Sequence, residues 1–218
     1  MISKIIIDMC KLSAVAYFDQ STVKNRYHRN ELVECLNTCP KLIEGDLSHD
    51  HSIIQNDCQV YTCKYKDSLV FAFRGTESFR DVLSDLNMFR TQLSIPNVDL
   101  QCSPKVHSGF LTQFNTVKDE MSTEIQLYRE EPQNNNHLIF TGHSLGGALA
   151  TISTVYYGLQ YPDMNITCIT FGSPRVGNND FVNLFDNRVN ESHRLVNEDD
   201  PVPMLSLIHI SEPTRLNP

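Results

Sequence analysis

The chain has 218 residues and a mass of 24.9 kDa, enough for one full domain with a sizeable core, and 40% of its residues are hydrophobic, as in an ordinary folded domain. A formal net charge of −8 and a pI of about 5.4 leave no electrostatic footprint for nucleic acid or for an anionic membrane surface. No apolar run reaches the roughly 18 residues of a membrane span, and Lys4, Asp8 and Lys11 interrupt the N-terminus where a secretory signal would be apolar.

Residues 2–18 carry Ile2, Ile6, Met9, Ser13, Ala16 and Tyr17 at helical spacing, which predicts an amphipathic helix packed on the domain in a structural role. From Cys58 the period changes. Residues 59–65 and 68–73 read as strands joined by the polar turn Lys66-Asp67, a hairpin feeding a sheet. Residues 77–100 are of mixed character, 110–130 show a helical pattern, 132–136 a polar turn and 137–141 a buried strand. After Gly142-His143-Ser144-Leu145-Gly146-Gly147 comes a small-residue helix over 148–157. Strands over 165–171 and 193–197 alternate with helical stretches, the pattern of a parallel sheet covered by helices. There is no internal repeat and no low-complexity linker.

Seven cysteines, Cys10, Cys35, Cys39, Cys58, Cys63, Cys102 and Cys168, are odd in number and scattered, so they cannot all pair within the chain. With no export signal read, the expected location is cytoplasmic. Two N-x-S/T matches, at Asn165 and Asn190, are read as chance, the first because it opens the apolar run 166–171 of a buried strand.

Gly142-x-Ser144-x-Gly146 has the form of a nucleophile elbow, with the apolar strand before it and the helix after it that such a turn requires. A turn sharp enough to expose the serine hydroxyl needs an unusual backbone at Ser144, and small residues two positions either side let strand and helix approach. The helix that starts there aims its N-terminal amides at charge developing on a substrate. With 9 glycines in 218 residues the pattern is expected by chance only about 0.03 times, so an inert tight turn is the weaker reading. Serine becomes a useful nucleophile when a histidine takes its proton and an acid holds that histidine in the right tautomer. The chain order on this fold is serine, acid, histidine, and Glu198, Asp199 and Asp200 follow the last predicted strand, where α/β sheets place functional groups.

These residues resemble the class 3 lipases, the fungal-lipase-like α/β-hydrolases. The matching blocks are Phe73-Arg74-Gly75-Thr76-Glu77-Ser78, Val106-His107-Ser108-Gly109-Phe110, residues 141–147 with Ala148-Leu149-Ala150, Phe171-Gly172-Ser173-Pro174-Arg175-Val176-Gly177-Asn178, and Asp200-Pro201-Val202-Pro203. The similarity runs from about 59 to 204, and residues 1–58, read as an N-terminal helical portion, match loosely. The resemblance implies an α/β-hydrolase fold, a mostly parallel central sheet flanked by helices. It implies Ser144 as nucleophile, Asp200 rather than Asp199 as the triad acid, and an oxyanion hole from Thr76 and the Leu145 amide. His107 and His143 are read as structural. A lid is implied over residues 77–97, where Phe79, Val82, Leu83, Leu86 and Phe89 fall at helical spacing; the alternative is an ordinary surface helix.

The implied reaction is carboxylic-ester hydrolysis without metal or organic cofactor, on a lipid or other ester substrate, with transient contact at a lipid interface. A serine peptidase or thioesterase on the same scaffold is the rival enzyme, and a non-catalytic lipase-like binding module the rival from another class. The chain departs from the family at its end. Residues 205–215 read as the translation of a common transposase sequencing adapter, so the native domain is expected over 1–204, with a non-native tail over 205–218. His209 then belongs to the tail, the fold is truncated at its C-terminus, the triad lacks its base, and the chain as written is expected to be inactive.

Overall fold

In the computed structural model, which describes residues 3–17, 47–55, 58–75 and 89–196, the apolar runs become the middle of a six-stranded sheet. The elements in chain order are α1 (Lys4–Val15), β1 (Leu47–Gln55), β2 (Cys58–Tyr65), β3 (Ser68–Phe73), β4 (Arg90–Gln92), β5 (Lys105–His107), α2 (Ser108–Glu130), β6 (His137–His143), α3 (Leu145–Gln160), β7 (Asn165–Phe171), α4 (Asn179–Arg188) and β8 (Glu191–Leu195). The sheet order is β1-β2-β3-β6-β7-β8, with the first three strands antiparallel and the rest parallel. Every residue of β3 is buried, as are the central residues of β6 and β7, because helices cover both faces.

The two faces have different coats. Met9, Leu12 and Ala16 of the α1 segment pack on Cys63, Val70, Ala72, Ile139 and Ile169, while Phe114, Val117, Met121 and Ile125 of α2, together with α3, cover Phe71, Phe73, Leu138 and Phe140. The buried positions of α2 are 110, 114, 117, 121, 125 and 128, the stripe that its helical period predicts. Two polar pairs lock α1 along β6: Ser13 Oγ lies 3.0 Å from Thr141 Oγ1, and Tyr17 Oη 2.9 Å from His143 Nδ1. The spacing matches, since four helical residues rise ~6 Å and two strand residues ~6.6 Å.

Lys66 and Asp67 both have positive φ, 48° and 63°, the primed turn that a two-residue hairpin needs, on side chains that disfavour it. Tyr128 Oη donates to the Asp67 carbonyl at 2.6 Å and Asn135 Nδ2 to the Lys66 carbonyl at 3.2 Å, so the α2–β6 connection braces the strained turn.

Three expectations change. The N-terminal portion read as helical contains the strand β1, which completes the antiparallel side by pairing with β2. The lid range is shortened: Arg90–Gln92 forms β4, paired with β5, and Leu93 and Ile95 are buried in the core, so residues 90–95 are part of the body. Its first part, 77–88, lies outside the described residues, as do the tail 205–218 and the Glu198–Asp200 run. Asn165 stands exposed at the first position of β7, so the burial expected there begins only at Ile166, and Asn190 Oδ1 accepts from the Ile166 amide at 2.8 Å.

His137 sits at the start of β6, its two ring nitrogens bonded to Ser68 Oγ at 3.1 Å and Thr167 Oγ1 at 2.8 Å. Burial pushes its pKa below the usual value. The folded state thus holds the ring neutral, and its contribution to stability is complete above about pH 6.5 and lost as pH falls toward the lowered folded value. Thermal melts from pH 7 to pH 5 should show a falling Tm, and His137→Asn should flatten that slope. An unchanged slope in the variant would remove His137 from the account.

Candidate active site

β6 ends at His143, Ser144 follows at φ 59° and ψ −125°, and α3 begins at Leu145. This conformation costs a side-chain-bearing residue about 1–3 kcal/mol and persists only where the surroundings enforce it. They do so here: the Ser144 amide donates to the Phe171 carbonyl at 2.9 Å, and the Ser144 carbonyl accepts from Gly147 at 3.0 Å and Ala148 at 3.3 Å.

The glycines of the elbow mark close backbone contacts. A Cβ on Gly142 would meet the Gly146 carbonyl carbon at 2.4 Å, and one on Gly146 would meet the Phe73 carbonyl oxygen at 2.2 Å. A Cβ on Gly147 would lie 2.7 Å from Ser173 Cβ. The motif G-x-S-x-G-G is therefore the shape of a helix start pressed between three strand ends.

The parallel strands bring those ends together. Phe73 is in register with Gly142, and His143 with Phe171, which pairs with Leu195. The chain thus leaves β3, β6, β7 and β8 at one edge of the sheet, the position where open α/β sheets place ligands. Leu145, the first residue of α3, is buried there, and its amide is among those that a helix start leaves without an intrahelical acceptor. Gly75, the residue before Thr76, is buried against the same edge. Thr76, Asp199, Asp200 and His209 lie outside the described residues.

The other matching blocks hold each other. The His107 amide donates to the Val176 carbonyl at 3.0 Å, Val106 bridges Gly177, and Asn178 Oδ1 accepts from the amides of Lys105 at 2.9 Å and Phe181 at 3.1 Å. His107 packs its ring 4.6 Å from that of Phe110. His143 turns to Tyr17 and His193 to Glu191, at 2.8 Å. The thiols of Cys58 and Cys168 are pushed up by burial, to about 12 and about 11, so both stay protonated and serve packing rather than nucleophilic attack. Tyr17, which helical spacing marks only as part of a buried face, contacts His143, the residue before Ser144.

A central parallel sheet between helix layers, with a strained serine between β6 and α3, defines an α/β-hydrolase with a nucleophile elbow. The chain belongs to the class 3 lipase family, whose model, described as Lipase (class 3), matches residues 70–210. It is similar to the secreted mono- and diacylglycerol lipase 1 of Fusarium solani, 30% identical over 146 residues that cover 67% of this chain and 41% of that one. It is also 33% identical to the chloroplastic phospholipase A(1) DAD1 of Arabidopsis thaliana over 150 residues, covering 62% and 32%. Among solved structures, the lipase of Rhizopus microsporus var. chinensis superposes with a TM-score of 0.71 at 27% identity, over 94% of this chain and 69% of that one. The chain spans about a third to a half of the length of the curated relatives it matches.

Proposed function

We propose that this protein hydrolyses carboxylic esters of lipids, with Ser144 attacking the acyl carbonyl. The observation that carries the reading is the backbone of Ser144, held in a conformation that costs energy and that no packing need of its small side chain explains. The tetrahedral oxyanion is held by the Leu145 amide at the helix start and by Thr76; the alcohol leaves, and water releases the acyl group from Ser144. Asp200 is the acid that orients the base. The base is a histidine other than His137, His143 and His193, which are committed to Ser68 and Thr167, Tyr17 and Glu191. The sequence of the tail argues against His209.

Support for the triad comes from a triacylglycerol lipase that superposes with a TM-score of 0.68 at 25% identity, whose catalytic centre is a serine protease triad. The named relatives act on mono- and diacylglycerols and on phospholipid, which share an acyl ester, and that bond is the proposed substrate feature. The test is covalent labelling of the product of the intact gene by a fluorophosphonate, together with hydrolysis of short p-nitrophenyl esters. Both should disappear in Ser144→Ala; labelling that persists unchanged in that variant ends the assignment.

A further inference from the structure

The end of α1 reaches the elbow from the opposite face of the sheet to α2 and α3, and it does so through one hydroxyl. Tyr17 Oη lies 2.9 Å from His143 Nδ1, and His143 immediately precedes Ser144. The same oxygen packs on Gly75, where a Cβ would come within 2.1 Å of it and within 2.7 Å of the His143 carbonyl oxygen. Gly75 immediately precedes Thr76. A single phenol oxygen is thus in contact with the two residues that lead into the proposed nucleophile and the proposed side-chain-bearing oxyanion donor.

We propose that Tyr17 is a positioning residue for ester hydrolysis, holding the nucleophile elbow and the strand end that leads to Thr76 at a fixed separation through His143 and Gly75. The proposal rests on the hydrolase reading of Ser144. The chemistry needs this because the serine oxygen and the oxyanion donors act on atoms of one small tetrahedral group, and a displacement of about 1 Å between them costs up to 10²-fold. β6 and β3 are hydrogen-bonded neighbours only as far as Phe73 and Gly142. Beyond that pair the ladder stops, and the two chains are spanned by Tyr17. The ring also lies 6.1 Å from that of His143, tilted by 51°, so the imidazole is fixed by contact as well as by its bond. Phenylalanine would fill the same space without the bond, which makes the variant a test of position rather than of packing.

Ser13 supplies the control. It makes a second polar contact from the α1 segment to β6, to Thr141, one helical turn earlier, and it is not among the nearest atoms to Gly75. If α1 is only a cover for the sheet, Tyr17→Phe and Ser13→Ala behave alike. In the product of the intact gene, Tyr17→Phe should lower kcat on p-nitrophenyl butyrate about tenfold with KM within twofold and Tm nearly unchanged. Ser13→Ala should lower Tm and leave kcat within twofold. An unchanged kcat in Tyr17→Phe, or an equal fall in Ser13→Ala, overturns the proposal. Amide resonances of Gly75 and Leu145 give a readout independent of turnover: they should move in Tyr17→Phe and stay in Ser13→Ala, and resonances that stay in both overturn the proposal. If the unaltered protein and Ser144→Ala hydrolyse the ester equally, the hydrolase reading falls, and these resonances alone decide whether Tyr17 sets the geometry.

Discussion

Asp200→Asn should lower kcat on short p-nitrophenyl esters by about 10⁴, the loss seen when the acid of a serine triad is made neutral, while Asp199→Asn should stay within tenfold of the unaltered protein. The reasoning starts at the end of β8. Leu195 pairs with Phe171, and the Gly172 amide donates to the Leu195 carbonyl at 2.8 Å, so the chain leaves the sheet beside the carbonyl that holds the Ser144 amide. The proposed reading uses an acid a few residues further on to orient the base that serves Ser144. An ionised carboxylate accepts the proton-bearing nitrogen of that base and leaves the other nitrogen to face the serine; an amide in its place presents either a donor or an acceptor, and the useful tautomer is lost. Asp200 precedes Pro201-Val202-Pro203, the block that resembles the family's. Kinetics of the two variants, made in the product of the intact gene, check the assignment, and equal losses would contradict the choice between the neighbours.

The second large effect belongs to Gly146→Ala. The added methyl would lie 2.2 Å from the Phe73 carbonyl oxygen, 2.8 Å from the Phe73 carbonyl carbon and 3.0 Å from the Arg74 carbonyl carbon, all main-chain atoms of a strand end in the middle of the sheet. No rotamer change relieves such a contact. Overpacking a core typically costs 1–3 kcal/mol, and a backbone-to-backbone collision belongs at or above that upper figure, about 6–12 °C of Tm for a domain of this size. The relief must come from α3 moving away from β3, which carries the Leu145 amide off its line, so kcat should fall by about 10² in whatever fraction stays folded. Gly109→Ala is the comparison: its methyl meets only the His107 side chain, at 3.2 and 3.3 Å, and both Tm and kcat should change little. Differential scanning of the two variants separates the cases, and a Gly146→Ala protein as stable as Gly109→Ala would show that the elbow has more room than its contacts imply.

What the sequence discloses follows from how local each signal is. β3, β6 and β7 are apolar runs bounded by polar turns, and α2 carries its stripe over about five turns, so each is visible in a short window. The elbow is legible because its chemistry requires glycine at fixed offsets. β1, with the sequence Leu-Ser-His-Asp-His-Ser-Ile-Ile-Gln, has too little alternation to be read as a strand; it is an edge strand defined by the pairing that β2 offers. β4 and β5 are three residues each, β4 exposed throughout, below the length at which any period can be seen. Leu93 and Ile95 look like the flank of a lid until the fold buries them. The contact between Tyr17 and His143 joins residues 126 apart, and neither residue type signals the other.

That separation also bears on synthesis. The ribosome releases α1 before any strand it covers, with Met9, Leu12 and Ala16 forming an apolar strip, and those strands are not complete until β7 has emerged, well over a hundred residues later. At the ordinary pace of translation the strip waits on the order of 10 s before its whole seat exists. A helix made before its sheet is among the last elements to complete its packing, and during that interval a chaperone or another unfinished chain is its competing surface.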